Sequence, residues 1–138
     1  MTLEDIEKVL NDNGFKKVKK IISDSTYARP TSNYLNGKYY TFYRAWLTEH
    51  NLNRWKAKWD CDNFAATYYV FAQMCHFKSE REEQGIAVGM LFYHQANGGG
   101  HVINLVITEK GLTAIEPQTG DEVRLTDGEK SGASLIYF

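Results

Sequence analysis

The hydrophobic period of this chain changes at Gln84, and that change restricts the fold more than any other feature. Before it, apolar side chains recur at helical spacing. Tyr39, Tyr43 and Trp46 do so in "KYYTFYRAWLTEHN", and Phe64, Ala65, Tyr68, Ala72 and Cys75 do so between Asp62 and about Lys78. After it the period falls to two. Five strand candidates follow: "GIAVGMLFYH", "HVINLVITE", "LTAIEPQ", "DEVRLT" and "ASLIYF". They are separated by the turn signals "QANGGG", "KG", "TG" and "DGEKSG".

Upstream, Thr2 with Asp5 resembles a capping box and Gly14 suits a helix stop, which predicts a helix over 3–13. "FKKVKKII" reads as a strand, and residues 23–37, with Pro30 and Gly37, read as a long loop. There is no internal repeat, low-complexity tract or linker. The pattern predicts a single α+β domain over 1–138, with a helical half over about 1–80 and an antiparallel sheet over about 85–138. The N-terminal helices would pack on the C-terminal sheet.

Composition narrows the function classes. The 138 residues are 43% hydrophobic and 24% charged, enough to bury a core without staples. Sixteen basic residues against seventeen acidic ones give a formal charge of −1, which argues against a nucleic-acid partner held by counterion release. The basic runs "KKVKK" and "NRWKAKW" read as solvated edges, although the second interleaves Trp with Lys as a substrate or single-strand groove would. No apolar run approaches the roughly 20 residues of a membrane span, and "MTLEDIEKVL" is an acidic amphipathic helix rather than a signal peptide. These features predict a soluble, cytoplasmic chain with no membrane partner.

The two cysteines cannot pair if both lie on one helix, because Cys61 and Cys75 would then stand about 21 Å apart. Cys75 reads as core. Cys61 opens its helix, in "WDCDNFA", between Asp60 and Asp62. A helix N-terminus favours a thiolate through its free N–H groups and its dipole. His101 starts the second strand candidate after "NGGG", and Glu116 lies near the end of the next in "AIEPQTG". Nucleophile, general acid–base and orienting carboxylate would thus be Cys61, His101 and Glu116. His94 is an alternative base.

Against this reading, Cys61 can equally be a structural thiol, His101 a strand-edge histidine and Glu116 a solvent-facing residue. The flanking aspartates oppose a thiolate and make better sense as a helix cap, or as calcium ligands. The hairpin register leaves a further choice. With the turn at Glu109–Lys110 and Gly111 in a bulge, residue 101 lies opposite about 118, and Glu116 falls on its face at about 7–8 Å. With the turn at Lys110–Gly111 the offset is four residues, about 13 Å, too far without a bulge.

"WDCDNFA", "GGHVINLVI" and "LTAIEPQTGDEV" together resemble the papain-like thiol-protease domain at the C-terminus of a fungal galactose-binding agglutinin, and its phage and bacterial relatives. The resemblance covers about residues 59–125. It implies a papain-like (transglutaminase-like) fold, a Cys61–His101–Glu116 triad, and calcium activation with Asp60 and Asp62 as the local metal ligands. It departs from papain in lacking a glutamine before Cys61, and Asn63 stands where a further aspartate is usual. Trp59, Asn104 and Gln118 would line the substrate site. No sugar binding is implied, since the resemblance does not extend to the agglutinin's lectin half.

Two functions follow from different classes. The first is a thiol hydrolase or cysteine-peptidase-like enzyme acting on an amide or ester of a protein or peptide substrate, through an acyl-thioester on Cys61. No cofactor is required for that chemistry beyond the calcium implied above. The alternative is a non-catalytic module that binds a ligand or partner on the same fold, as a phage or bacterial effector would. A cell-wall peptidase is a weaker third reading, opposed by the missing export signal and by Glu in third place.

Overall fold

The computed structural model describes residues 1–78 and 84–138. Helix α1, Leu3–Asp12, starts as the capping box predicts: the Thr2 hydroxyl accepts the Asp5 N–H at 3.2 Å and Asp5 accepts the Thr2 N–H at 2.8 Å. "FKKVKKII" yields only the short β1, Lys19–Ile21. The stretch read as a long loop holds β2, Tyr27–Ala28, then α2, Ser32–Tyr34, then a π-helical segment, Leu35–Tyr39. That segment runs into α3, Tyr40–Glu49, and α4 follows at Cys61–Phe77.

The strand candidates become β3, Gly85–Ile86, β4, Val88–His94, β5, Gly100–Thr108, β6, Gly111–Ile115, β7, Glu122–Val123, and β8, Leu135–Tyr137. "DGEKSG", read as a turn, forms α5, Asp127–Ser131, because Thr126 and Glu129 make a second capping box.

Six strands form one sheet in the order β1-β8-β4-β5-β6-β7, and β2 pairs with β3 in a parallel two-stranded sheet. β4, β5, β6 and β7 are antiparallel neighbours, β8 runs antiparallel to β4, and β1 runs parallel to β8. The expected plan, an α+β papain-like (transglutaminase-like) fold with N-terminal helices on a purely antiparallel C-terminal sheet, is therefore corrected. The sheet is mixed. A strand from the N-terminal half completes it, because the outer edge of β8 needs a partner for its backbone groups. The chain ends are stitched there: Phe138 N–H donates to Ile21 O, and Ser23 N–H donates to Phe138 O, both at 2.8 Å.

Helices also cover both faces of the sheet. Ile6 and Leu10 of α1, with Phe15 and Tyr27, pack on one face against Leu91, Ile103, Leu105 and Phe138. Tyr39, Tyr43 and Leu47, with Phe64, Tyr68 and Ala72 of α4, pack on the other against Val88, Val106 and Ile115. A strand buried on both sides reads as a nearly continuous apolar run, which is how β5 reads from Val102 onward. Two tyrosine hydroxyls fasten α3 and its π-helical lead to α4, Tyr39 to Tyr68 O at 2.5 Å and Tyr43 to Phe64 O at 3.1 Å. Gly89 lets β8 and Phe138 close on β4, since a Cβ there would stand 2.4 Å from Tyr137 O.

Candidate functional site

Cys61 is the first residue of α4 and is half-buried. Asp60 is the N-cap, and its N–H donates to Asn63 Oδ1 at 3.2 Å. The cap reading of Asp60 thus accounts for one of the two flanking carboxylates. A hydrogen bond with Asp62 holds the Asp60 carboxyl above the ordinary carboxylate range. Among the described residues no group of three or more His, Cys, Asp or Glu is placed to hold a metal, so Asp60 and Asp62 offer a pair without a third such ligand. Just upstream, Lys56 and Trp59 exchange backbone hydrogen bonds at 3.0 and 2.8 Å in a tight turn. The Trp59 ring stands edge-on to Phe64, 5.9 Å between centroids, and its buried Nε1 has no partner among the described residues.

On the sheet, Thr108 pairs with Gly111, so Glu109–Lys110 is the two-residue turn of the β5–β6 hairpin. The same register pairs Asn104 with Ile115. Carried three residues further, it sets residue 101 opposite 118, the first of the two alternatives. His101 and Glu116 then meet, Nε2 to Oε2, at 2.8 Å, with side chains 16% and 18% exposed. With the carboxylate ionised, Nε2 must donate, which leaves Nδ1 as the imidazole's second nitrogen for a ligand.

A clamp of local bonds aims Glu116. Its Oε1 accepts the Gln118 N–H at 3.1 Å, and its carbonyl accepts the Gly120 N–H at 2.7 Å. Gly120 has φ +81°, and a Cβ there would lie 2.6 Å from the Tyr40 ring. From α3, Arg44 Nη1 donates to Gln118 O at 2.8 Å. Tyr40 and Arg44 lie in the segment read as a helix but outside its apolar stripe, and nothing local links them to a turn after a distant strand. The "TG" in "PQTGD" was the single cue.

Tyr93, also missed from sequence, faces His101 across the β4–β5 pair with ring centroids 5.8 Å apart. Burial raises its phenol above the ordinary range, and Glu129, Glu116 and Cys61 push the same way. Tyr93 therefore lies within electrostatic reach of both Glu116 and Cys61. Among the described residues, no hydrogen bond joins the Cys61 thiol to the His101 ring. The structure brings His101 and Glu116 into contact, with Cys61 acting electrostatically on Tyr93, the residue that faces His101.

The remaining candidates are distributed differently. Asn104 is fully buried, its Nδ2 donating to Ala65 O and Gly89 O, each at 3.0 Å. It ties β5 to α4 and β4 rather than lining an open surface. Gln118 contributes its backbone to the clamp. His94 is exposed at the end of β4, opposite Gly100. Cys75 packs at the margin of the α4 core.

No family model and no curated protein sequence matches the chain. Its fold is similar to that of about half of each of two solved chains. One similar solved structure is the PSL1a–E64 complex, with a TM-score of 0.81 and 18% identity over 100% of this chain and 51% of that one. Another is Polyporus squamosus lectin bound to the human-type influenza-binding epitope Neu5Aca2-6Galb1-4GlcNAc, with a TM-score of 0.78 and 18% identity over 100% and 49%. The chain spans about half the length of these neighbours.

The fungal-agglutinin part of the resemblance stands. The assignment to papain-like or transglutaminase-like cysteine proteases of phage or bacterial type is corrected: the neighbours named are the PSL1a–E64 complex and a Polyporus squamosus lectin bound to a glycan epitope. At this identity the likeness carries architecture and no chemistry. Among the described residues no helix is long and apolar enough to cross a membrane.

Proposed function

We propose that the chain is a ligand-binding module whose site lies where the start of α4, the first residues of β5 and the turn after β6 converge. The observation that supports it is the 2.8 Å bond between His101 and Glu116, with both side chains largely withdrawn from solvent. An ion pair so placed contributes little net stability, because desolvation offsets its attraction. A fixed imidazole with one nitrogen committed and one available is a recognition element for a polar ligand. The carboxylates of Asp60 and Asp62, on either side of Cys61, accept hydroxyl or N–H donors, and the Trp59 ring supplies an apolar surface.

The experiment is a two-dimensional NMR titration of the 15N-labelled chain with two probes, the trisaccharide Neu5Acα2-6Galβ1-4GlcNAc and a mixture of short peptides. The glycan is a probe taken from one lectin structure, of which this chain spans half. Saturable shifts centred on Trp59, Cys61, His101 and Glu116, and lost in His101→Ala, are the expected result. Shifts that stay away from those residues would sink the reading.

A second reading, turnover at the same place, is favoured by one feature: Cys61 sits at the N-terminus of α4, where N–H groups favour a thiolate and an oxyanion. In that reading the Cys61 sulfur attacks the carbonyl carbon of an amide or ester. The bond to the leaving group breaks, the His101 imidazolium gives it a proton, and water then releases the acyl group from the thioester. Glu116 holds the imidazole throughout. Cys61→Ser separates the two readings. Unchanged ligand affinity with loss of product supports turnover, whereas unchanged affinity with no product in either protein supports binding alone.

A further inference from the structure

We propose that Arg44 is a positioning residue for the His101–Glu116 pair, acting from α3 through the carbonyl of Gln118; this rests on the reading of that pair as the working centre of the site. Three bonds make the connection. Arg44 Nη1 holds Gln118 O at 2.8 Å, Gln118 N–H holds Glu116 Oε1 at 3.1 Å, and Glu116 Oε2 meets His101 Nε2 at 2.8 Å. Gln118 is gripped at both ends of its backbone. The grip on its carbonyl from α3 restrains the turn at Gln118, and its N–H meets Oε1, leaving Oε2 to face the ring.

Two further observations favour a role for Arg44 beyond packing. A guanidinium is best matched to a carboxylate, yet among the described residues Arg44 makes no salt bridge and donates to a neutral carbonyl. The turn it holds is otherwise tied by bonds within itself, such as Gly120 N–H to Glu116 O at 2.7 Å and Glu116 N–H to Asp121 O at 2.9 Å, and the Arg44 bond reaches it from another element. The turn joins β6 to the two-residue β7, closes through Gly120 at positive φ, and rests on the Tyr40 ring. Burial raises the Tyr40 phenol, which also senses both Arg44 and Glu116, so all three share one neighbourhood. α3 is in turn fixed to α4 by Tyr43, which couples the helix that opens with Cys61, through α3 and Arg44, to the turn after β6 that carries Glu116.

The test is the exchange rate of the His101 Nε2 proton, followed by NMR in the wild-type chain and in Arg44→Ala, Arg44→Gln, Arg44→Lys and Glu116→Gln. Backbone shifts of β5 serve as the check on folding. In wild type the proton exchanges slowly. Loss of a charge-assisted bond predicts exchange faster by about tenfold or more in Arg44→Ala and Arg44→Gln. Arg44→Lys restores slow exchange, since one donor serves one carbonyl. Wild-type exchange in Arg44→Ala together with fast exchange in Glu116→Gln overturns the role of Arg44 and leaves the pair standing. Fast exchange in Arg44→Lys also overturns it. Wild-type exchange in Glu116→Gln removes the pair itself, and with it the reading beneath.

Discussion

Gly120 combines a backbone angle of +81° with a Tyr40 ring packed where a Cβ would stand. Gly120→Ala therefore meets both a left-handed penalty and a clash, and destabilises by about 1–3 kcal/mol, read from urea unfolding. The same variant shifts the Glu116 turn and speeds exchange of the His101 ring proton. Asp60 gives a pH-dependent expectation. Its carboxyl is raised by the hydrogen bond with Asp62, so the folded state holds that proton more tightly than the unfolded chain. The resulting stability is present at low pH and is lost as pH rises through the raised value. Asp62→Asn, which removes the neighbouring charge, brings the Asp60 titration down toward the ordinary carboxylate value, measurable by carboxyl 13C shifts. At this level the sequence named His101 and Glu116 through their order and their strands. It could not name Arg44, Tyr40 or Tyr93, because their part in the site depends on contacts between elements.

Helix α4 and the segment before it are joined by hydroxyls that a helical period cannot reveal. Tyr39→Phe and Tyr43→Phe each remove one buried hydroxyl–carbonyl bond and cost about 1 kcal/mol by chemical denaturation. The apolar stripe over Tyr39 and Tyr43 read as core, and both rings are fully buried. Asn104 makes a sharper case. From sequence it was a polar residue near a site, whereas the fold uses its amide to bind α4 and β4 together. Asn104→Ala opens a cavity, leaves two carbonyls without that donor and costs about 2–4 kcal/mol, with no change in affinity for a ligand at His101. Where cap residues act locally, sequence reading succeeds, as at α1, whereas at the β5–β6 hairpin it left two turns open and the fold chose between them. Sequence reading fails where a short element depends on its neighbours: β1, β2, the π-helical segment and α5 were shortened or read as loop.

The closure of the sheet is a property of the entire chain, and Phe138 tests it. This ring is fully buried against Tyr27 and over Gly89, while its backbone binds Ile21 and Ser23 from the other end of the sequence. Phe138→Ala should cost about 3–5 kcal/mol, a large part of the stability expected of a domain this size, and should lower the midpoint of thermal unfolding accordingly. Amide exchange would then rise first in β1 and β8, where few residues pair. An unchanged midpoint would mean that this closure contributes little. From its residues alone the chain specified the helical stripes of α3 and α4, strands after Gln84, and the caps that begin α1 and α4. These are local properties, set by side-chain period and by groups a few residues apart. The mixed strand order, the helices on both faces and the clamp from Arg44 to His101 came only with the folded molecule. Backbone pairing uses the same N–H and C=O groups at every position, so the pattern along a strand tells which side is apolar but not which strand lies beside it.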